Sequence, residues 1–134
     1  MGPASPFEVE VESRNGIARL ALRGELDMQT VDRLSPCLER AEQEGTSEIV
    51  LDLRELTFVD STGLRAFIQA WERARTNGHR LLFVGVMGAA RRLFEMTGTE
   101  FMLDERRSAS TLDRFVQPSR DRSRSDEGAV DEGG

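Results

Sequence analysis

The chain has 134 residues, of which 38% are hydrophobic and 31% charged, and carries a formal net charge of −6 at pH 7. That length and balance describe one water-soluble domain with a modest core, and no run approaches the roughly 18 apolar residues of a membrane span. The arginines are dispersed or come in pairs, Arg91-Arg92 and Arg106-Arg107, whereas a nucleic-acid backbone requires clustered cations, so the acidity points to protein partners or simple solubility and not to nucleic acid.

The N-terminus, Met1-Gly2-Pro3-Ala4-Ser5-Pro6, has neither a basic stretch nor an apolar stretch of the kind that directs secretion. Cys37 is the single cysteine, which excludes an internal disulfide and fits a reducing cytoplasm. Its expected role is that of a small buried residue on a helix.

Phe7, Val9 and Val11 alternate with glutamates as in a half-exposed strand, and Asn15-Gly16 follows as a two-residue hairpin signal. Ile17 to Arg23 reads as the second strand, with Ala18, Leu20 and Leu22 on one face and Gly24-Glu25-Leu26-Asp27 ending it. A helix then carries Val31, Leu34, Leu38 and Ala41 as its buried stripe, with Pro36 inside the pattern expected to kink or shorten it. Gly45 closes that helix. Glu48 to Leu53 is the third strand, whose Ile49-Val50-Leu51 run predicts burial on both faces. Ser61 to about Thr76 is the next helix, closed by Asn77-Gly78. Leu81 to Val84 is a fourth strand, and Ala89, Leu93 and Phe94 mark a third helix ending near Gly98. Phe101-Met102-Leu103 is read as a short fifth strand, and Leu112, Phe115 and Val116 as a last short helix. From Pro118 onward the composition cannot bury enough apolar surface to offset ordering entropy, so a disordered tail is expected.

The order ββαβαβαβα predicts an α/β domain of two layers, with a four- to five-stranded mixed sheet and helices mainly on one face. The expected organisation is a flexible N-terminus over 1–6, one domain over 7–117 and a tail over 118–134.

Catalytic groups are scarce. His79 is the single histidine and sits at a helix-to-strand turn, no Cys/His group has metal-ligand spacing, and no phosphate-binding glycine loop is present. Asp52 and Asp60 flank the end of the third strand as structural caps would. No enzyme activity, metal or cofactor is therefore expected.

The segment Phe58-Val59-Asp60-Ser61-Thr62-Gly63-Leu64 gathers a carboxylate, two hydroxyls and a glycine where a strand gives way to a helix. As an ordinary helix start, Asp60 or Ser61 is the cap and Gly63 permits close packing. As a functional site, it holds an anchored but reachable hydroxyl for a partner enzyme to modify. Asp60-Ser61-Thr62-Gly63-Leu64 after Leu51-Asp52-Leu53, with Gly24-Glu25-Leu26-Asp27 upstream and Arg91-Arg92-Leu93-Phe94-Glu95-Met96-Thr97-Gly98 downstream, resembles the anti-sigma-factor antagonists of the STAS-domain family. The resemblance runs from about Phe7 to Val116. It implies a partner-switching regulator: the unmodified form binds an anti-sigma factor that is also an ATP-dependent serine kinase and so frees a sigma factor. Phosphorylation on Ser61, the first hydroxyl after the motif aspartate, abolishes that binding, and a serine phosphatase restores it.

Thr62 is a minor candidate phosphoacceptor. The partner-binding surface is expected to comprise Asp27, Asp60, Ser61, Thr62, Gly63 and Arg65. Asp27 has a second reading as the cap of the first helix. Gly63 is expected to keep the hydroxyl unshielded. Arg65 stands where many members carry a glycine, and is either a phosphate contact or a solvated side chain. A cytoplasmic protein is expected, without direct membrane binding. The alternative functions are a STAS subunit of a membrane transporter or lipid-transport complex, and a nucleotide-binding module, for which no phosphate loop speaks.

Overall fold

The computed structural model of the chain describes residues 6–103. The expected helix around Leu112, Phe115 and Val116 and the expected tail from Pro118 lie outside the described residues, as do residues 1–5. The elements run β1 (Phe7–Arg14), β2 (Ile17–Leu26), α1 (Val31–Gln43), β3 (Glu48–Val59), α2 (Ser61–Asn77), β4 (Arg80–Val84) and α3 (Gly88–Met96), followed by a 3-10 turn over Glu100–Met102. They form the expected two-layer α/β fold around a mixed sheet of order β1-β2-β3-β4. β1 and β2 pair antiparallel through the Asn15-Gly16 turn, where φ is 53° and 81°, and β3 and β4 add in parallel.

The strands alternate as their apolar period demands. Ala18, Leu20, Leu22, Ile49, Leu51, Leu53, Leu81 and Phe83 meet the buried stripes of all three helices in one core. Its centre is an aromatic triad, Phe67 of α2, Phe83 of β4 and Phe94 of α3, with ring centroids 5.3 to 6.2 Å apart. The Ile49-Val50-Leu51 run is fully buried as expected, but its middle residue belongs elsewhere: Val50 and Val84 form a separate small cluster with Ile17 on the other sheet face. α1 runs as one helix through Pro36, and Cys37 on it is only half-buried.

Two strands are longer than the sequence pattern predicts. Gly24-Glu25-Leu26 does not end β2 but continues it, with register shifts between Ala21 and Arg23 and between Gly24 and Glu25. Gly24 takes a φ of 102°, and a side chain there would strike the Pro6 carbonyl, so only glycine permits this irregularity. The extension gives β3 a partner beyond Leu53, pairing Leu56, Phe58 and Val59 with Gly24, Glu25 and Leu26. The fifth strand expected at Phe101-Met102-Leu103 is instead the 3-10 turn. The Thr99 N–H and hydroxyl both bond the Phe94 carbonyl, wrapping the chain back over the end of α3. Met102 alone of the three is buried, while Phe101 is 68% exposed and meets Trp71 edge-on.

On the helix-free face, Asp52 is buried between two guanidiniums. Arg54 reaches it at 2.6 and 2.9 Å and Arg19 at 2.9 Å, and Arg19 also reaches Glu12 at 3.0 Å, so one network crosses β1, β2 and β3. Burial pushes the Asp52 carboxyl up, but the hydrogen bonds and charge of Arg54, with Arg19, outweigh it and hold the group below the ordinary carboxylate value. The folded pKa is thus lower than the unfolded one, and the unfolded chain protonates first in acid. The resulting stabilisation is complete above about pH 4 and is lost as pH falls through the folded value. Urea unfolding between about pH 7 and pH 2 will show this loss, and Asp52→Asn will be less stable at neutral pH with a shallower acid dependence.

Candidate functional site

The extended β2–β3 pair delivers the chain to the junction at Asp60. The Asp60 N–H donates to the Leu26 carbonyl at 3.2 Å, continuing the ladder by one bond beyond Val59. The backbone of Asp60 is extended (φ −106°, ψ −172°), and its Oδ1 accepts the Gly63 N–H at 3.0 Å while its carbonyl accepts the Leu64 N–H at 2.9 Å. Of the two capping residues the sequence leaves open, the cap of α2 is Asp60. Ser61 is consequently the first helical residue, exposed, and its hydroxyl makes no hydrogen bond among the described residues. Thr62 is half-buried, and Arg65 lies exposed one turn further along.

Gly63 sits beneath the helix start, not beside the hydroxyl. A Cβ there would lie 2.7 Å from Val59 Cγ2 and 2.8 Å from Leu26 Cγ, so glycine is required for α2 to pack on the end of the β2–β3 pair. The expected shielding of Ser61 by a side chain at this position has no geometric basis, because the space such a side chain would take is core.

Asp27 follows Leu26, whose carbonyl holds Asp60, so the two acidic loops are neighbours. Its Oδ1 accepts the N–H groups of Gln29 and Thr30 at 3.0 and 3.1 Å, a local turn that leads into α1. Thr30, the cap residue of α1, is fully buried; its hydroxyl donates to the Glu25 carbonyl at 2.8 Å and accepts the Asp27 N–H at 2.9 Å. Asp27 is thus committed to shaping its loop through one oxygen. Asp52 and Asp60 do not come together: Asp52 is in the sheet, and Asp60 caps the helix.

Three exposed apolar side chains at this end of the sheet escape the sequence reading. Met28 is 72% exposed in the β2–α1 loop, Phe58 is 45% exposed on β3 opposite Glu25, and Met87 opens α3 after β4. Phe58 falls outside the buried positions of β3, and Met28 and Met87 lie between elements, so an apolar residue off every stripe was the available signal. Single exposed apolar residues are ordinary, but Met28 and Phe58 each stand two residues from a partner of the Leu26–Asp60 bond, on the two segments that it joins. Among the described residues, no group of His, Cys, Asp and Glu is arranged to hold a metal ion, and no helix is long and apolar enough to cross a membrane.

The STAS domain family model matches residues 8–114. The chain belongs to the STAS-domain family. That family's anti-sigma factor antagonists are non-catalytic regulatory domains. The chain is 32% identical over 97 residues to the anti-sigma-B factor antagonist of Staphylococcus aureus, a match that spans 72% of this chain and 90% of that protein. In fold it is similar to an anti-sigma factor antagonist from Mycobacterium paratuberculosis, with a TM-score of 0.66 at 22% identity over 78% of this chain and 89% of that one. It is also similar to the anti-sigma factor antagonist SpoIIAA in its unphosphorylated form, with a TM-score of 0.65 at 20% identity over 84% and 97% of the two chains. The phosphorylated form of SpoIIAA, from Bacillus, aligns with a TM-score of 0.62 at 21% identity, over 82% of this chain and 99% of that one.

Two substitutions separate the roles at the junction. Asp60→Ala removes the cap and will cost about 1 kcal/mol, with the fold retained. Gly63→Ala gains helix propensity but forces Leu26 and Val59 apart, and will cost about 1–2 kcal/mol net. Denaturant unfolding measures both, and a Gly63→Ala variant as stable as the parent would contradict the packing role.

Proposed function

We propose that the chain is a cytoplasmic anti-sigma factor antagonist that switches partners through phosphorylation of Ser61. The unmodified form binds an anti-sigma factor that is also an ATP-dependent serine kinase, and a sigma factor is released. Transfer of a phosphoryl group to Ser61 Oγ ends that binding, and a serine phosphatase resets it. The observation that carries this reading is the division of labour at the junction: Asp60 supplies the cap, so the Ser61 hydroxyl stays exposed and unbonded. The S. aureus relative is an anti-sigma-B factor antagonist, and SpoIIAA occurs in phosphorylated and unphosphorylated forms, which supports the same reading.

The magnitudes favour an interface switch over a conformational one. Phosphate adds about −1.5 to −2 charge at the first residue of α2. The helix N-terminus favours it by roughly 0.3–1 kcal/mol, and the neighbouring Asp60 carboxylate, with Asp27 close by, opposes it by a comparable amount. The fold therefore survives. A docked partner fares differently, because burying an uncompensated dianion costs several kcal/mol and every 1.4 kcal/mol is about tenfold in affinity. In this reading Asp27, Asp60, Thr62 and Arg65 are the polar rim of the docking surface, and Met28 and Phe58 its apolar part, while Gly63 acts from beneath.

Calorimetric titration of the full chain against the cognate anti-sigma factor kinase tests this. Ser61→Ala will bind about as tightly as unmodified protein and resist release by ATP, whereas Ser61→Asp or the phosphoprotein will bind at least about a hundredfold more weakly. Phosphoprotein that binds as tightly as the unmodified chain would overturn the switch.

A further inference from the structure

Ser61 and Arg65 occupy positions i and i+4 of α2, both exposed, while Gly63 and Leu64 between them face the core. Four residues of helix span about 6 Å, and helical side chains lean toward the N-terminus, so a long side chain at 65 extends back over the turn that carries Ser61. Arg65 makes no ion pair or hydrogen bond among the described residues. The other residues at helical contact spacing from it, Thr62, Ile68 and Gln69, carry no charge. The order is also the favourable one, with the anion nearer the helix N-terminus and the cation four residues on.

We infer that Arg65 is a phosphate clamp: once Ser61 is phosphorylated, the Arg65 guanidinium folds back along α2 and pairs with the phosphoryl oxygens. This rests on the phosphorylation of Ser61 proposed above and adds the group that receives the phosphate. A guanidinium suits the task, because its fixed fork of donors matches two phosphoryl oxygens at once. The clamp gives the modification a double effect on the docking surface. One guanidinium offsets only part of the phosphate charge of about −1.5 to −2, so the surface still gains negative charge, and the cation that the unmodified surface displays at Arg65 is withdrawn into an internal pair. A partner that meets Arg65 with an acidic group would lose that contact in the same step.

The test uses the full chain with phosphoserine installed at position 61 during synthesis, so that it reads Arg65 whether or not any kinase modifies Ser61. Phosphorus NMR follows the second ionisation of the phosphate, ordinarily near pH 6, in the parent and in Arg65→Gln and Arg65→Lys. Pairing with Arg65 favours the dianion, so the parent phosphate will titrate about half a pH unit below that of Arg65→Gln. Arg65→Lys will fall between them, and the difference will shrink in about 1 M salt. Superimposable titrations of the parent and Arg65→Gln would overturn the clamp. Failure of the switch itself would instead appear as phosphoprotein that still binds its kinase, a result independent of the titration.

Discussion

Asp60 holds the two halves of the fold in register. Its backbone N–H completes the ladder to Leu26 and its carboxylate accepts the Gly63 N–H, so one residue ends the β2–β3 pair and starts α2. The carboxylate bond is local in sequence, but what it organises is not. α2 contributes Phe67 to the aromatic triad, and Gly63 sets the distance at which the helix start rests on Leu26 and Val59. Because the cap comes from Asp60, the Ser61 hydroxyl is held by no hydrogen bond among the described residues. A hydroxyl so placed is one that can be modified without unfolding the protein.

The junction in turn depends on the irregular end of β2. Without the irregularity at Gly24, β2 would end near Arg23, and β3 beyond Glu55 would have no partner. The extension carries Phe58 and Asp60 past the end of β4, so the site projects from the end of the sheet. The Asp27 loop, locked by Thr30 and by its own Asx turn, lies next to it. Two loops from separate strands thus form one surface, which is acidic in part and carries apolar side chains at Met28 and Phe58.

Much of this was legible in the sequence. Period-2 alternation marked β1 and β2, Asn15-Gly16 marked their turn, and Leu64, Phe67, Ile68, Trp71 and Ala74 at helical spacing marked the inward side of α2, where Leu64, Phe67 and Ala74 are buried and Ile68 and Trp71 partly so. The Asp60-Ser61-Thr62-Gly63 junction was legible by itself only as a helix start; the motifs around it, Gly24-Glu25-Leu26-Asp27, Leu51-Asp52-Leu53 and Arg91 to Gly98, carried the resemblance to the STAS-domain family. What was not legible depends on contacts remote in sequence. The length of β3 is set by β2, and the fate of Phe101-Met102-Leu103 by the Thr99 bonds to Phe94. Three apolar residues in a row carry no information on whether a neighbouring strand is available to them. The choice between Asp60 and Ser61 as cap, and the side from which Gly63 is crowded, likewise required the three-dimensional placement of Leu26 and Val59.

The most direct measurement is the position of the phosphate. The full chain is incubated with ATP and the anti-sigma factor kinase that the proposed switch requires, and the modified residue is mapped by mass spectrometry. Phosphate on Ser61, absent from a Ser61→Ala chain that remains folded, is the predicted result. Phosphate on another residue, with Ser61 untouched, would contradict it.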